Sequence, residues 1–126
     1  MKSQRGQALV EAAFIIPILL ILLFGITDFG RVFHAYLTLD HAGREAARVA
    51  TVGAEDTEIA ARIEQATSSL NKDKVTHTIS PSGKSNRPSG SEVTITLKYS
   101  IDLLMPLISH LSGPIELENK TVMRVE

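Results

Sequence analysis

The chain contains no cysteine, so neither a disulfide nor a thiolate nucleophile is available to it. A head exposed outside the cell would have to be stable without covalent staples. An excess of either charge is also missing. Thirteen basic and 14 acidic residues leave a net charge of −1, and no basic face large enough for nucleic acid is expected. The sequence has no Gly-rich phosphate loop, zinc-protease motif or nucleophile elbow. His34 and His41 share a helix face, but with His77 and His110 they make no set with metal-ligand spacing. The expectation is therefore a protein that is not an enzyme, with no catalytic residue, no metal, no cofactor and no small-molecule substrate.

What the chain does contain is a long apolar run near its start. Lys2 and Arg5 form a short basic head, and from Ala8 to Ile26 the only charged residue is Glu11. A bilayer core of about 30 Å needs roughly 20 apolar residues as a helix, so this run predicts a membrane span. It is longer than the 7–15 residues of a usual signal-peptide core, and no Ala-x-Ala site follows it. Basic residues before the span and mixed charges after it (Asp28, Arg31, Asp40) place the N-terminus in the cytoplasm and the body outside. Glu11 is costly within such a run, by about 2.5–3.5 kcal/mol at a helix centre, and asks for a partner.

The helix is expected to continue past the membrane surface. No proline intervenes between Pro17 and Pro81, and Phe29, Phe33, Tyr36, Leu37, Ala42, Ala46, Val49 and Ala50 recur at helical spacing. From Gln7 to about Val52 this predicts one helix of roughly 46 residues, about 69 Å long. Pro17 removes a backbone donor and predicts a kink or an opened turn near Phe14–Pro17. Small residues at Ala35, Ala42, Gly43, Ala46, Ala47 and Ala50 predict close packing against the protein's own sheet, with Arg44 and Glu45 in solvent on another face. Gly53 is the expected stop.

Beyond it, Asp56 or Thr57 is placed to cap a short amphipathic helix with Ile59, Ile63, Ala66 and Leu70 as its apolar stripe. Three strands follow. Val75, His77 and Ile79 alternate with polar residues, as do Val93, Ile95, Leu97, Tyr99 and Ile101. Residues 81–91 between them are rich in Pro, Gly and Ser and predict a mobile hairpin loop, with Lys84 and Arg87 as solvated charges at its tip. Leu103–Ile108 with Leu111, broken by Pro106, predicts a crossover or helical turn covering the sheet, or a sticky patch if exposed. The last strand runs from Ile115 to about Val125. Its alternation slips at Asn119 and Lys120, which predicts a bulge, and the Asn119-Lys120-Thr121 sequon is taken as chance. The fold class is α+β: a long N-terminal transmembrane helix with a small head of one short helix and an antiparallel sheet of about three strands.

The spacing of Gly6 and Glu11 before the apolar run resembles the processing site of type IV pilin-like precursors. Arg5-Gly6-Gln7-Ala8-Leu9-Val10-Glu11, then Pro17, Gly25, Asp28-Phe29-Gly30-Arg31 and Ala46-Ala47-Arg48, resembles the TadE-like proteins of tight-adherence pilus systems. Met123-Arg124-Val125-Glu126 is a fainter echo. The resemblance implies cleavage between Gly6 and Gln7 by a prepilin peptidase, a role for Glu11 in assembly and axial register, and a minor pilin or pseudopilin function. It implies as partners the membrane, that peptidase, a sister pseudopilin, the major pilin and the pilus assembly platform. The location implied is a bacterial inner membrane, single-pass, with entry into a pilus. Residues 1–6 are then a leader, 7–27 the transmembrane helix, 28–53 its extracytoplasmic continuation and 54–126 the head. The competing reading is a membrane-anchored extracytoplasmic binding module with no filament role.

Overall fold

The long apolar and alanine-rich segment folds as a single helix, α1, from Lys2 to Thr51, 50 residues long, or about 75 Å at 1.5 Å per residue. In this computed structural model, which describes residues 2–105, 110–111 and 113–126, α1 is followed by a second helix and three strands. The helix begins at Lys2 rather than Gln7, so the basic head is its first turn. It stays helical through Pro17, with no opened turn between Phe14 and Pro17.

α1 ends where glycine permits it. Gly53 has φ +89°, and its N–H donates to the Ala50 carbonyl while Ala54 N–H donates to that of Val49. This pair of bonds is the Schellman ending, which satisfies carbonyls that a helix otherwise leaves open. α2 (Asp56–Ala66) follows at once. Its N-cap is Glu55, not Asp56 or Thr57, and no side chain caps it; the Asp56 carboxylate is engaged elsewhere. Ile59 and Ile63 are fully buried, each worth about 1.5–3 kcal/mol of apolar transfer. Asn71 lies beyond the helix and accepts from Asp73 N–H at a short 3-10 turn, Lys72–Lys74.

The sheet has order β1-β2-β3 and is antiparallel throughout, with β1 at Val75–Ser80, β2 at Glu92–Ile101 and β3 at Ile115–Arg124. β2 is central and buries Val93, Ile95, Leu97 and Ile101. The core joins these to Ala35, Leu39, Ala42, Ala46, Ala47 and Ala50 of α1 and to Ile59 and Ile63 of α2. The small stripe of α1 therefore packs on the protein's own sheet, as its composition predicts. Phe29, Phe33, Tyr36 and Leu37 do not join the core; all four are exposed.

The expected bulge in β3 is absent. Its register against β2 runs unbroken from Glu92↔Arg124 to Ile101↔Ile115. The alternation slips because Asn119 and Thr121 face inward, onto Gly43. A Cβ at Gly43 would lie 2.6 Å from Asn119 Oδ1 and 2.6 Å from Thr121 Oγ1, so β3 can approach α1 only where the helix has no side chain. Thr121 Oγ1 donates to Asn119 Oδ1 and Asn119 Nδ2 donates to Asp40 Oδ1, which satisfies the inward polar atoms.

The hairpin loop also differs from expectation. Arg87 is buried at 5% exposure, and its guanidinium donates to Asp56 Oδ1 and to the carbonyls of Pro81 and Ala54. Asp56 Oδ2 accepts from Gly83 N–H. These bonds tie the loop over the start of α2, and Lys84–Asn86 forms a 3-10 turn within it. Of the predicted crossover at Leu103–Ile108 with Leu111, residues 106–109 lie outside the described residues; Leu104 and Leu111 are exposed.

Candidate functional site

Two groups of residues on α1 carry the features singled out in the sequence. The first lies in the initial turns. Gly6 and Gln7 are both within α1 and exposed, and a Cβ at Gly6 would meet nothing within 4 Å. Glu11 is exposed, one turn above Gln7, whose Nε2 donates to its Oε1 at 3.4 Å. Pro17 lies a further turn and a half along, inside the helix. The fold thus brings Gly6, Gln7 and Glu11 together by helical spacing alone, and among the described residues no hydrogen bond joins them to the head.

From Leu9 to Ile26 every large side chain is exposed, from 37% at Phe24 to 73% at Phe14. No residue in the most apolar window of the helix is buried, and that window is apolar enough to cross a bilayer. Helix surface of this kind is covered by lipid or by other helices. Above Ile26 the exposed apolar face continues through Phe29, Phe33, Tyr36 and Leu37, with the Phe29 and Phe33 rings stacked at 6.3 Å.

The second group marks the boundary where the head begins. Asp28 is buried at 6% exposure. Its Oδ1 accepts from Leu104 N–H and its Oδ2 from Met105 N–H, both at 2.9 Å. Burial opposes the charge on Asp28, but the two amides and Arg31 outweigh it and hold the carboxyl below its ordinary value. Arg31 adds a 3.4 Å contact to Asp28 and donates to the Asp102 carbonyl at 3.0 Å. Lys74 pairs with the Asp102 carboxylate at 2.8 Å and lowers its pKa. A local Asp28–Arg31 contact is readable from i,i+3 spacing; the two amides are not, because they come from 76 and 77 residues away.

Of the histidines, His34 meets Ser69 Oγ at 3.3 Å and His41, His77 and His110 are exposed. Among the described residues no three His, Asp or Glu side chains are grouped to hold a metal.

A single exposed apolar helix carrying a small α+β head defines the class: a protein suited to single-pass membrane anchoring. Residues 6–48 match the model of the family described as TadE-like protein. Over that segment of the helix the chain is similar to TadE-like proteins. No curated protein and no solved structure matches the chain. The matched segment holds Gly6, Glu11, Pro17, Asp28 and Arg31 and stops short of the head.

Proposed function

We propose that the chain is a minor pilin or pseudopilin of a tight-adherence pilus, joined to other pilin-like subunits by packing along α1. Its work is structural, not catalytic. The observation that carries this reading is the exposed apolar face above the span. Leu37 lies about 16 Å beyond Ile26 at 1.5 Å per residue, yet Phe29, Phe33, Tyr36 and Leu37 are 50–71% exposed. Lipid satisfies the lower surface, while a neighbouring helix would cover the upper one.

On this reading a prepilin peptidase cuts between Gly6 and Gln7 on the cytoplasmic side, and the head stands outside the inner membrane. Glycine inside a helix costs about 0.5–1 kcal/mol relative to alanine, and no packing within the chain requires Gly6. That supports a requirement imposed by a partner. Cleavage leaves an α-amine on Gln7 one turn from Glu11. Such a cation neutralises the carboxylate, within the subunit or between neighbours, and so sets the axial register. The remaining partners are a sister pseudopilin, the major pilin and the assembly platform.

The test is the intact mass of membrane-extracted protein with and without the peptidase. A chain beginning at Gln7 that reverts to full length in the peptidase-deficient strain supports the reading. Retention of Lys2–Gly6 in cells with active peptidase overturns it. A Glu11→Ala chain should be inserted and cut, yet absent from pilus complexes; its normal incorporation removes Glu11 from the mechanism.

A further inference from the structure

The connection that leaves β2 runs toward the membrane. Ile101 ends the strand, Asp102 bonds Arg31, Leu104 and Met105 bond Asp28, and Met105 reaches the level of Gly25. Gly25 is three residues below Asp28, about 4.5 Å along the axis, and lies within the apolar run. A Cβ there would be 3.0 Å from Met105 Cε. Met105 closes an apolar groove with Ile21, Leu22, Gly25, Ile26 and Phe29. Leu104, beside it, is 51% exposed.

Irregular backbone is tolerated at membrane depth only when its N–H groups are satisfied within the protein, because lipid offers no acceptor. Asp28 does this for two consecutive amides, one on each carboxylate oxygen. Immediately above lie Arg31, which donates to the Asp102 carbonyl, and Lys74, which pairs with the Asp102 carboxylate; together they form a polar collar. Leu104 and Met105 lie below this collar. Along the face of α1 that carries the head, the order is apolar, then charged, then head core, which is also the order of a bilayer surface.

We infer that the connection after β2 is a second membrane contact: Leu104 and Met105 enter the leaflet on the head's side, beside α1. The occupant of the exposed Leu104 face is lipid, because Met105 beside it packs on the span residues Ile21, Leu22, Gly25 and Ile26. Asp28 is the positioning residue. The contact fixes how deep α1 sits and holds the head against the bilayer. It rests on the reading of α1 as a membrane span.

The chain has no tryptophan, so single substitutions report cleanly. Full-length Leu104→Trp, Ile26→Trp and Val122→Trp chains would be reconstituted separately in phosphatidylcholine vesicles. Each is challenged with bromine-labelled lipid and with aqueous iodide. Ile26 belongs to the span, and Val122 is an exposed position of the head. Leu104→Trp should lose emission to brominated lipid and resist iodide, as Ile26→Trp does, whereas Val122→Trp should behave in the opposite way. Adding Asp28→Ala to Leu104→Trp should restore iodide quenching. Iodide quenching of Leu104→Trp, alongside lipid quenching of Ile26→Trp, overturns the second contact and leaves the span intact. Shielding of Leu104→Trp from both quenchers also overturns it, since protein would then be the cover. If Ile26→Trp is untouched by brominated lipid, the span itself fails and the inference falls with it.

Discussion

The lower and upper halves of α1 share one continuous helix and almost nothing else. From Leu9 to Ile26 the large apolar side chains are all exposed; above Asp28 one stripe is small and fully buried. Size explains the difference. Leu, Ile and Phe present apolar surface outward to lipid or another helix, whereas Ala35, Ala42, Gly43, Ala46, Ala47 and Ala50 let a sheet come close. One helix is thus an anchor at one end and half of a hydrophobic core at the other. Asp28 marks the change.

Substitutions that disturb the buried stripe of the upper half or its cover should destabilise the head, and those in the lower half should leave the isolated subunit unchanged. The largest effect is expected for Arg87→Met, which removes the guanidinium that closes the core above the end of α1. It leaves Asp56 and the carbonyls of Ala54 and Pro81 without that donor. Loss of a buried ion pair costs about 3–5 kcal/mol when both partners are enclosed. Asp56 is 37% exposed, so a loss of about 2–3 kcal/mol is expected, read as a fall of roughly 10 °C or more in the Tm of detergent-solubilised protein. An unchanged Tm would mean that the loop does not hold the head.

Next in size is a pair of glycines on the same helix. Gly43→Leu should overpack the β3 contact and cost about 1–3 kcal/mol. Gly30→Leu, where a Cβ would meet nothing within 4 Å, should leave Tm unchanged or slightly higher, since leucine is the better helix former. Equal effects at the two positions would break the distinction between the buried and open faces.

A smaller, local effect concerns Asp28. Its folded pKa lies below the ordinary 3.8, so its contribution is complete above that value and is lost as pH falls through the lower folded value. Protection of the Leu104 and Met105 amides, measured against their intrinsic exchange rates at each pH, should be high at neutral pH and fall on acidification through that window. Asp28→Ala should show low protection at every pH, with the core amides of β2 unaffected. The smallest effect on stability is expected for Glu11→Gln. Its described partner is Gln7 at 3.4 Å, so the shift should stay within about 0.5 kcal/mol, while incorporation into pilus complexes is lost. A folded-state penalty there would mean that the lower half serves the monomer after all.

Local signals accounted for much of this architecture. The span, the helical stop at Gly53, the amphipathic α2 and the alternation of β2 each depend on residues within a few turns of one another, and each lies close to where composition puts it. That Gly6, Gln7 and Glu11 lie on consecutive turns of one helix was legible for the same reason. What was not legible depends on distant partners. Arg87 reads as a loop charge until Asp56 is brought to it from 31 residues away. Asn119 and Thr121 look like a bulge until Gly43 faces them.

By itself the sequence determined the long apolar helix, its end, the order of elements and the spacing of Glu11 from Gly6, because helical and strand periodicity are properties of consecutive residues. Only the tertiary structure decided which face of α1 is covered, why β3 carries polar residues inward, and that Asp28 receives the backbone of a segment more than seventy residues later. Those outcomes follow from satisfying buried polar groups and filling space between elements, and neither requirement acts until the chain has brought the elements together.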